Sequence, residues 1–519
     1  MRRSLIPCCM LAAICLPNCS VDNNNDRKPN IIYVLADDLG YGDISAFNEK
    51  GKILTPNIDR LAAEGIKFTD AHTSSAVCSP TRYGILTGRY SWRSRMKQGV
   101  LSGNSKALIP NSRLTVASLL KSHHYNTAFM GKWHLGWDWS AKDRSARAES
   151  PATIDFNNID YAGSVENNPN DLGFDYAFGH AASLDMSPYV YVENGKVTAL
   201  PDTTTVNTGK YSWWRKGPTG SDFVHENVTP GLFERAITHI EQHAGNNNPF
   251  FLYLALPSPH TPILPTTEWQ DKSGLNPYAD FIMMIDDYMG KLLKAVDNAG
   301  IKDNTLIIFT SDNGCAPYAG TEELESLGHH PSYIYRGYKA DIFEGGHRVP
   351  FIARWPGNIP PAITSAETIC STDLLATCAE IIGYDLKDNE GEDSYSLLPL
   401  FLQQNLDHPL REATVHHSVN GSFAIRKGDW KLIMCPGSGG WSFPTPADTT
   451  VINTLPAIQL YNLASDPEET KNLAVTESAR VTELEVLLTS YIRNGRSTPG
   501  ATQQNDEFQG TWHQISFVE

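Results

Sequence analysis

The sequence predicts an α/β protein with a large, mostly parallel sheet flanked by helices, followed by a small antiparallel α+β subdomain. Three observations support this class. Short apolar runs such as Asn30–Ala36 suit parallel strands that are buried on both faces. Capped helical segments alternate with these runs over most of the chain. This alternation ends near Ile381–Asp407, beyond which the strand patterns become short and follow one another directly.

The elements of the larger part follow in order. After Asn30–Ala36, Thr55-Pro56 predicts a helix start, because Thr caps helices and Pro suits their first turn, and Gly65 predicts the end. Thr229-Pro230 predicts another helix start for the same reason. The remaining predicted strands are Asn126–Met130, Phe250–Ala255 and Thr305–Thr310, with a long helix between the last two from about Tyr278 to Ala299.

The C-terminal part contains shorter elements. The predicted strands are Thr414–His417, Phe423–Arg426, Trp430–Met434 and Gln459–Asn462. A terminal helix is expected near Ala479–Ile492. We therefore predict a large domain over residues 29–390 and a C-terminal subdomain over residues 391–519.

The first residues have the pattern of an export leader. Two arginines precede the apolar stretch Leu5–Leu16, which is too short to span a bilayer, so residues 1–19 predict a cleaved signal peptide. Residues 20–28 read as a flexible tether. A loose likeness to a bacterial lipoprotein cleavage site leaves lipidation of Cys19 open, as the one membrane attachment we expect. The predicted location is periplasmic or cell-surface.

The amino-acid composition excludes some classes of protein and of partner. The 519 residues are 41% hydrophobic and 19% charged, as in ordinary globular proteins. The net charge of −16 argues against a nucleic-acid partner. An anionic substrate would therefore have to be held by local positive charge. Of the 9 cysteines, several lie in the leader, and the rest do not form the dense, even set of a disulfide scaffold.

Acidic and amide side chains follow two of the predicted strands. Asp37-Asp38 comes after the first strand, and Asp312-Asn313 comes after Thr305–Thr310. Ligands of open α/β sheets bind at the carboxyl ends of strands. An all-oxygen ligand set suits Ca²⁺ or Mg²⁺ rather than zinc. Asp-Asp alone could equally cap a helix, but the matching pair after a second strand favours a metal site.

A cysteine lies at a predicted helix start. Cys78-Ser79-Pro80-Thr81-Arg82 is followed by Leu86-Thr87-Gly88-Arg89. The free N–H groups of a helix N-terminus attract anions, and Arg82, one turn further, can support a neighbouring oxyanion. The alternative for an isolated pair would be a buried structural thiol and a surface arginine.

Three further motifs carry basic side chains. In Gly131-Lys132-Trp133-His134-Leu135-Gly136, an extended backbone would point Lys132 and His134 to the same side. His260 lies among prolines that fix its backbone. Lys339 precedes the segment Glu344–Pro350, which contains His347.

These motifs, in this order, resemble those of type I sulfatases, and the resemblance extends from about Lys28 to the C-terminal Leu460–Leu473. It implies an alkaline-phosphatase-like fold and hydrolysis of sulfate esters. It also implies that a maturase oxidises Cys78 to the aldehyde formylglycine. One Ca²⁺ ion is implied, with the ligands Asp37, Asp38, Cys78, Asp312 and Asn313. Thr81 departs from the serine that is commoner at that position in the family.

The resemblance also implies the roles of the polar residues. Arg82, Lys132 and Lys339 would hold the sulfate, and His134 would take a proton from the aldehyde hydrate. We expect His260 to protonate the leaving oxygen, because its ordinary pKa is near neutrality. Lys339 stays open as the alternative acid.

The substrate is predicted less directly. The loop around His180 resembles that of bacterial carbohydrate sulfatases acting on galactose-type sugars. We therefore predict a sulfated glycan, with galactose or N-acetylgalactosamine sulfated at O3 as the specific hypothesis, and aryl sulfates as a wider class. The residues predicted to contact substrate are His180, Asp185, Trp213, Trp214 and His347. The alternative is that the aromatic residues only pack in the core.

Two other functions stay open from sequence. Phosphatases and phosphodiesterases of the same superfamily use Ser or Thr nucleophiles and two zinc ions, which the Cys78 and oxygen-ligand pattern disfavours. A glycan-binding protein that keeps the fold and an unconverted cysteine is the second alternative.

Overall fold

The computed structural model describes residues 28–143, 145, 152–508 and 510–518. Their strands are β1 Asn30–Asp37, β2 Ile66–Phe68, β3 Ala71–His72, β4 Asn126–Lys132, β5 Tyr176–His180, β6 Val192–Glu193, β7 Lys196–Val197, β8 Pro201–Asn207, β9 Trp214–Gly220, β10 Phe250–Pro259, β11 Thr305–Ser311, β12 Phe351–Arg354, β13 Ile363–Ser365, β14 Ile369–Cys370, β15 Thr414–His417, β16 Phe423–Lys427, β17 Trp430–Ile433 and β18 Gln459–Asn462. Their α-helices are α1 Pro56–Ala63, α2 Cys78–Thr87, α3 Val116–Ser122, α4 Val228–His243, α5 Pro277–Asn298, α6 Thr321–Ser326, α7 Glu344–His347, α8 Leu374–Ile382, α9 Leu398–Phe401, α10 Thr449–Ile452 and α11 Ser478–Arg493.

A ten-stranded sheet forms the centre of the molecule, in the order β13-β2-β12-β11-β1-β10-β4-β5-β6-β7. The central strand β1 pairs in parallel with β10 and β11, and β4 and β5 continue the parallel part. Alternate side chains of β1 enter two different hydrophobic layers: Ile31, Tyr33 and Leu35 face one, and Ile32, Val34 and Ala36 face the other. The continuous apolar run is therefore explained by burial on both faces, as the sequence predicts.

The edges of the sheet depart from the parallel pattern. β12 pairs antiparallel with both β11 and β2, and β6 and β7 form a short antiparallel extension beyond β5. A separate hairpin, β8 with β9, lies outside the large sheet. These strands were not predicted, because most have two to four residues and β8 is largely exposed and polar.

The four predicted C-terminal strands form an antiparallel sheet in the order β15-β16-β17-β18. The last helix packs on it through Leu484 and Leu488, which share a hydrophobic cluster with Val415 and Leu460. The fold class is thus confirmed in both parts. The domain boundary at residue 390 stays a prediction.

Three smaller points concern the chain as a whole. The cysteines of the described residues, beginning with Cys78, are all buried and free. Within the described ranges, no helix is long and apolar enough to cross a membrane. The predicted signal peptide, tether and lipidation site at Cys19 lie outside the described residues.

Candidate active site

The carboxyl ends of β1 and β11 bring the predicted metal ligands together. The strands pair with Ala36 opposite Ser311, so Asp37-Asp38 and Asp312-Asn313 leave the sheet side by side. The Asp312 N–H donates to the Ala36 carbonyl at 3.1 Å. Asp38 has a left-handed backbone with φ of 65°, which turns the chain at the sheet edge.

The oxygen atoms of this group are those a hard cation requires. The Asn313 side-chain amide donates to Asp38 Oδ1 at 2.7 Å through its nitrogen, so its own Oδ1 is not used in this hydrogen bond. Asp37 Oδ1 and Asn313 Oδ1 are buried without a hydrogen-bond partner among the described residues. Ligand atoms of Asp37, Asp38, Cys78 and His260 lie within 4.8 Å of one another. Buried acceptor oxygens without donors fit a calcium ion at this position.

Cys78 is the first residue of α2 and is 2% exposed. Val77 precedes it in extended conformation without a side-chain cap, so the first turn of α2 keeps N–H groups that no capping side chain satisfies. Burial raises the pKa of the Cys78 thiol to about 11. The unmodified side chain is therefore a neutral thiol at pH 7, a weak nucleophile.

Arg82 lies one turn further along α2 and is fully buried. Its guanidinium donates to Asp312 through Nε at 2.9 Å and forms an ion pair through Nη2 at 2.8 Å. Nη1 donates to the Lys132 carbonyl at 2.9 Å, and Nη2 lies 3.4 Å from the Leu256 carbonyl. One side chain thus ties the helix to the ends of three strands.

Two lysines reach the same carboxylates. Lys132 Nζ lies 2.5 Å from Asp37 Oδ2, and Lys339 Nζ lies 2.6 Å from Asp38 Oδ1. Burial would lower the pKa of Lys339, but Asp38 together with the neighbouring Asp37 and Asp312 carboxylates holds that pKa well above its ordinary value. Burial would raise the pKa of Asp37, but Lys132 together with the other surrounding cationic side chains holds that pKa well below its ordinary value, so Asp37 stays ionised.

His134 is buried with φ of 55°, and its ring has one defined tautomer. Nε2 lies 2.7 Å from the Leu101 carbonyl, which can only accept, so the proton of a neutral ring is on Nε2. Nδ1 has no partner among the described residues. Burial, reinforced by the Lys132 charge, lowers the pKa of His134 well below 6.5. Nδ1 is therefore an unprotonated base.

His260 directly follows β10 and belongs to the same group as Asp37, Asp38 and Cys78. Its Nδ1 lies 2.5 Å from the Thr261 carbonyl and donates to it. Its Nε2 faces Asp38 Oδ2 at 3.6 Å. The nitrogen that points to the metal-ligand group is thus Nε2.

Of the predicted substrate residues, the structure brings His180 to this group. It ends β5 directly opposite Lys132 in the parallel register. Its Nδ1 donates to the Ala182 carbonyl at 2.7 Å, and its Nε2 is buried without a partner among the described residues. Burial lowers the pKa of His180 to about 3, so Nε2 is an acceptor for a hydroxyl.

The other loop residues are already engaged. Asp185 Oδ2 forms a short ion pair with Arg215, which also covers the Trp213 ring at 4.9 Å. Trp214 stacks on His225 with ring centroids 4.1 Å apart, which is a packing role, whereas Trp213 is 38% exposed. Arg215 was not predicted, although its position directly after two tryptophans was a usable signal.

His347 lies in a different cluster. Its Nδ1 is 3.1 Å from His72 Nδ1, its Nε2 is 3.1 Å from Lys431 Nζ, and its ring stacks on His416 at 4.0 Å. All three imidazoles are buried and have lowered pKa values because of that burial. The structure does not place His347 with Cys78, because α7 turns its side chain toward β15 and β17.

Comparisons with known proteins identify the family to which this chain belongs. The family model for sulfatases matches residues 29–384. The chain is 34% identical to N-acetylgalactosamine-6-O-sulfatase of Bacteroides thetaiotaomicron over 94% of this chain and 98% of that protein. It is 32% identical to arylsulfatase A of Homo sapiens, over 86% of this chain and 83% of that one.

A solved structure points the same way. It is described under metabolism of multiple glycosaminoglycans by Bacteroides thetaiotaomicron, and it superposes with a TM-score of 0.77 at 33% identity. The match covers 89% of this chain and 99% of that one. The match to the family model, the identity to sulfatases over most of the chain and the shared alkaline-phosphatase-like fold show that this chain belongs to the sulfatase family and is a sulfuric ester hydrolase.

Proposed function

We propose that the enzyme removes 6-O-sulfate from N-acetylgalactosamine residues of glycans, with formylglycine derived from Cys78 and one Ca²⁺ ion. The convergence of Asp37, Asp38 and His260 on Cys78 within 4.8 Å carries the catalytic part of this proposal. The sugar rests on the name of the relative that matches 94% of the chain. That name favours O6 over the O3 position expected from the His180 loop, so O3 and galactose become alternatives for the test.

The cation would be held by Asp37, Asp38, Asp312, Asn313 and the modified Cys78. When bound, it supplies positive charge that polarises the sulfate oxygens. The side chains alone are electrically balanced, since three carboxylates face the cations Arg82, Lys132 and Lys339. A divalent ion therefore makes the site net positive and suited to an anion, although the whole chain has a net charge of −16.

Conversion of Cys78 to formylglycine would supply at this position the hydroxyl nucleophile that attacks sulfur. The structure of the unmodified site supports the need for it, because the buried thiol is held neutral. A formylglycine-generating maturase is therefore the expected protein partner. It would act before folding is complete, since Cys78 is almost fully buried in the folded chain.

Three cationic side chains would bind the sulfate group. Lys132 pairs with Asp37, Lys339 pairs with Asp38, and Arg82 pairs with Asp312. Their donors are fixed by ion pairs before substrate arrives. Such preorganised charge stabilises the transition state without a cost of reorganisation.

The two histidines would divide the proton transfers. His134 Nδ1 is the base that accepts a proton from the hydrate, because its tautomer is set by the Leu101 carbonyl. His260 Nε2, which faces the metal-ligand group, would donate the proton to the leaving sugar oxygen. Lys339 is the weaker alternative acid, because Asp38 raises its pKa and so makes it hold its proton.

The test is sulfate release by matured enzyme in calcium. The panel contains the 6-sulfates of N-acetylgalactosamine, N-acetylglucosamine and galactose, the 3-sulfate of galactose and an aryl sulfate. We expect fastest release from N-acetylgalactosamine 6-sulfate and none from Cys78→Ala. Preference for another isomer would overturn the sugar assignment, and full activity of Cys78→Ala would overturn the mechanism.

We also infer export through the leader over residues 1–19, followed by the tether over residues 20–28. Catalytic residues would all lie in the domain over residues 29–390, with residues 391–519 as a supporting subdomain. N-terminal sequencing of the mature protein tests the cleavage site. Labelling with a radioactive fatty acid in cells producing wild type or Cys19→Ala distinguishes a lipoprotein from a released protein.

A further inference from the structure

Three large aromatic side chains are exposed on two loops that are anchored next to Lys339, and two of the three rings are in contact. Tyr318 is 60% exposed, Trp441 is 40% exposed and Phe443 is 72% exposed. The rings of Tyr318 and Trp441 are tilted toward each other with centroids 5.6 Å apart. We refer to these three side chains as the aromatic platform. Exposed rings of this size that cluster, rather than occurring singly, mark a binding surface.

One of the two loops continues directly from the metal-ligand strand. Asp312 and Asn313 leave β11, and Tyr318 lies five residues further along, in the turn Pro317–Ala319. Cys315, which lies between Asn313 and Tyr318, attaches this loop to the Lys339 segment, because its carbonyl accepts from the Lys339 N–H at 2.9 Å. Tyr318 is therefore on the carboxyl side of the sheet, where the substrate enters.

The second loop is attached to the segment that carries Lys339. Asp341, two residues after Lys339, accepts from the N–H groups of Trp441 and Ser442 at 2.9 and 3.0 Å through Oδ1. The Ile342 N–H donates to the Ser438 carbonyl at 2.8 Å. Gly440 packs so closely that a Cβ there would lie 2.4 Å from the Ala340 carbonyl oxygen.

These attachments hold the loop that carries Trp441 in place before ligand binds. Asp341 is fully buried, and its other carboxylate oxygen accepts from the Tyr338 N–H at 2.9 Å and from the Ser442 hydroxyl. The backbone of Trp441 is thus fixed to the same four-residue stretch as the sulfate-binding lysine. A rigid aromatic surface binds with little loss of conformational entropy.

We propose that the aromatic platform binds the apolar face of the sugar next to the sulfated residue, so that the enzyme acts preferentially on oligosaccharides. This rests on the proposed function, because both loops of the platform are anchored next to Lys339, which that function assigns to the sulfate. Pyranose rings present C–H groups on one face, and aromatic rings are the side chains that pack against such a face. The exposed ring faces of the platform fit the C–H face of a sugar ring better than a second sulfate.

The test compares matured wild type, Trp441→Ala, Trp441→Phe, Tyr318→Ala and, as an exposed apolar control on α11, Val486→Ala. Substrates are N-acetylgalactosamine 6-sulfate and a chondroitin 6-sulfate tetrasaccharide. We expect Trp441→Ala to lower kcat/KM for the tetrasaccharide roughly tenfold and for the monosaccharide less than about twofold. Trp441→Phe should recover most of the loss. Equal effects on both substrates, or none on either, would overturn the proposal.

A binding measurement separates this proposal from the catalytic one. In Cys78→Ala protein, calorimetry with the tetrasaccharide should show binding that Trp441→Ala and Tyr318→Ala weaken and Val486→Ala does not. If the matured enzyme releases no sulfate but this pattern holds, the proposed function fails and the platform stands. Binding that is unchanged in both aromatic variants, or absent in the parent protein, would overturn the platform.

Discussion

Arg82→Ala is the substitution whose cost the structure defines most clearly. The guanidinium is fully buried and pairs with Asp312 through two nitrogens at 2.9 and 2.8 Å. It also donates to the Lys132 carbonyl at 2.9 Å. Removal leaves Asp312 as a buried carboxylate without its main partner, whereas Asp37 still keeps Lys132 at 2.5 Å.

The expected loss of stability follows from the unpaired charge that Asp312 keeps in the variant. Removing one partner of a buried ion pair costs about 3–5 kcal/mol, because the other charge stays desolvated. At about 2 °C per kcal/mol for a large domain, the melting temperature should fall by about 6–10 °C. The Arg82→Lys variant should lose less stability than Arg82→Ala, because lysine keeps the positive charge beside Asp312. It should still be less stable than wild type, because lysine cannot bond Asp312 and the Lys132 carbonyl at the same time.

The assay is thermal unfolding in chelator, so that no bound cation compensates Asp312. The matched control is Arg480→Ala, since Arg480 is 38% exposed and pairs with an exposed Glu483, a pair worth about 0–1 kcal/mol. An Arg82→Ala melting temperature equal to that of Arg480→Ala would refute the reasoning. So would an Arg82→Lys variant as unstable as Arg82→Ala.

Three other outcomes follow from the site and from the buried histidines. His134→Gln keeps a donor for the Leu101 carbonyl but removes the base. Its kcat should fall roughly 10²–10⁴-fold, the range expected for a lost general base, with unchanged melting temperature. Activity above a tenth of wild type would contradict the role of His134 as the base. Calcium at about a hundred times its Kd should add about 2.7 kcal/mol to the free energy of unfolding of wild type. The Asp37→Asn variant should need far more calcium for the same gain. Identical calcium titrations of the two proteins in melting assays would exclude Asp37 as a ligand. Burial lowers the pKa values of His72, His347 and His416 in the folded chain. The unfolded chain therefore binds more protons than the folded chain below about pH 6.5. The contribution of these histidines to stability should be full above that pH and should fall as the medium is acidified. Melting temperatures that stay level between about pH 7 and 5 would contradict this sign, and His416→Asn should show a shallower fall than wild type.

Much of the fold could be predicted because its centre obeys simple patterns. The run Asn30–Ala36 is buried on both faces and can only be a central strand. The helix predicted from Tyr278 to Ala299 extends over Pro277–Asn298, since Asn276 caps it by accepting from the Ala279 N–H. The edge strand Phe351–Arg354 has only four residues, so its antiparallel pairing depended on neighbours far along the chain.

The sequence predicts which residues belong to the site, but it does not predict their protonation or tautomeric states. Strand ends explain why Asp37 and Asp312 meet, and these ends are visible in the sequence. The tautomer of His134 depends on the Leu101 carbonyl, 33 residues away, for which the sequence holds no signal. His347 shows the opposite case, because a suggestive motif leads to a buried cluster with His72.

The central claim is that sulfate hydrolysis depends on the modified side chain at position 78. The most direct measurement is the rate of sulfate release from N-acetylgalactosamine 6-sulfate, plotted against the fraction of formylglycine in the tryptic peptide Phe68–Arg82 for preparations with different amounts of maturase. The account predicts a straight line through the origin. A rate that does not change with the converted fraction would contradict it.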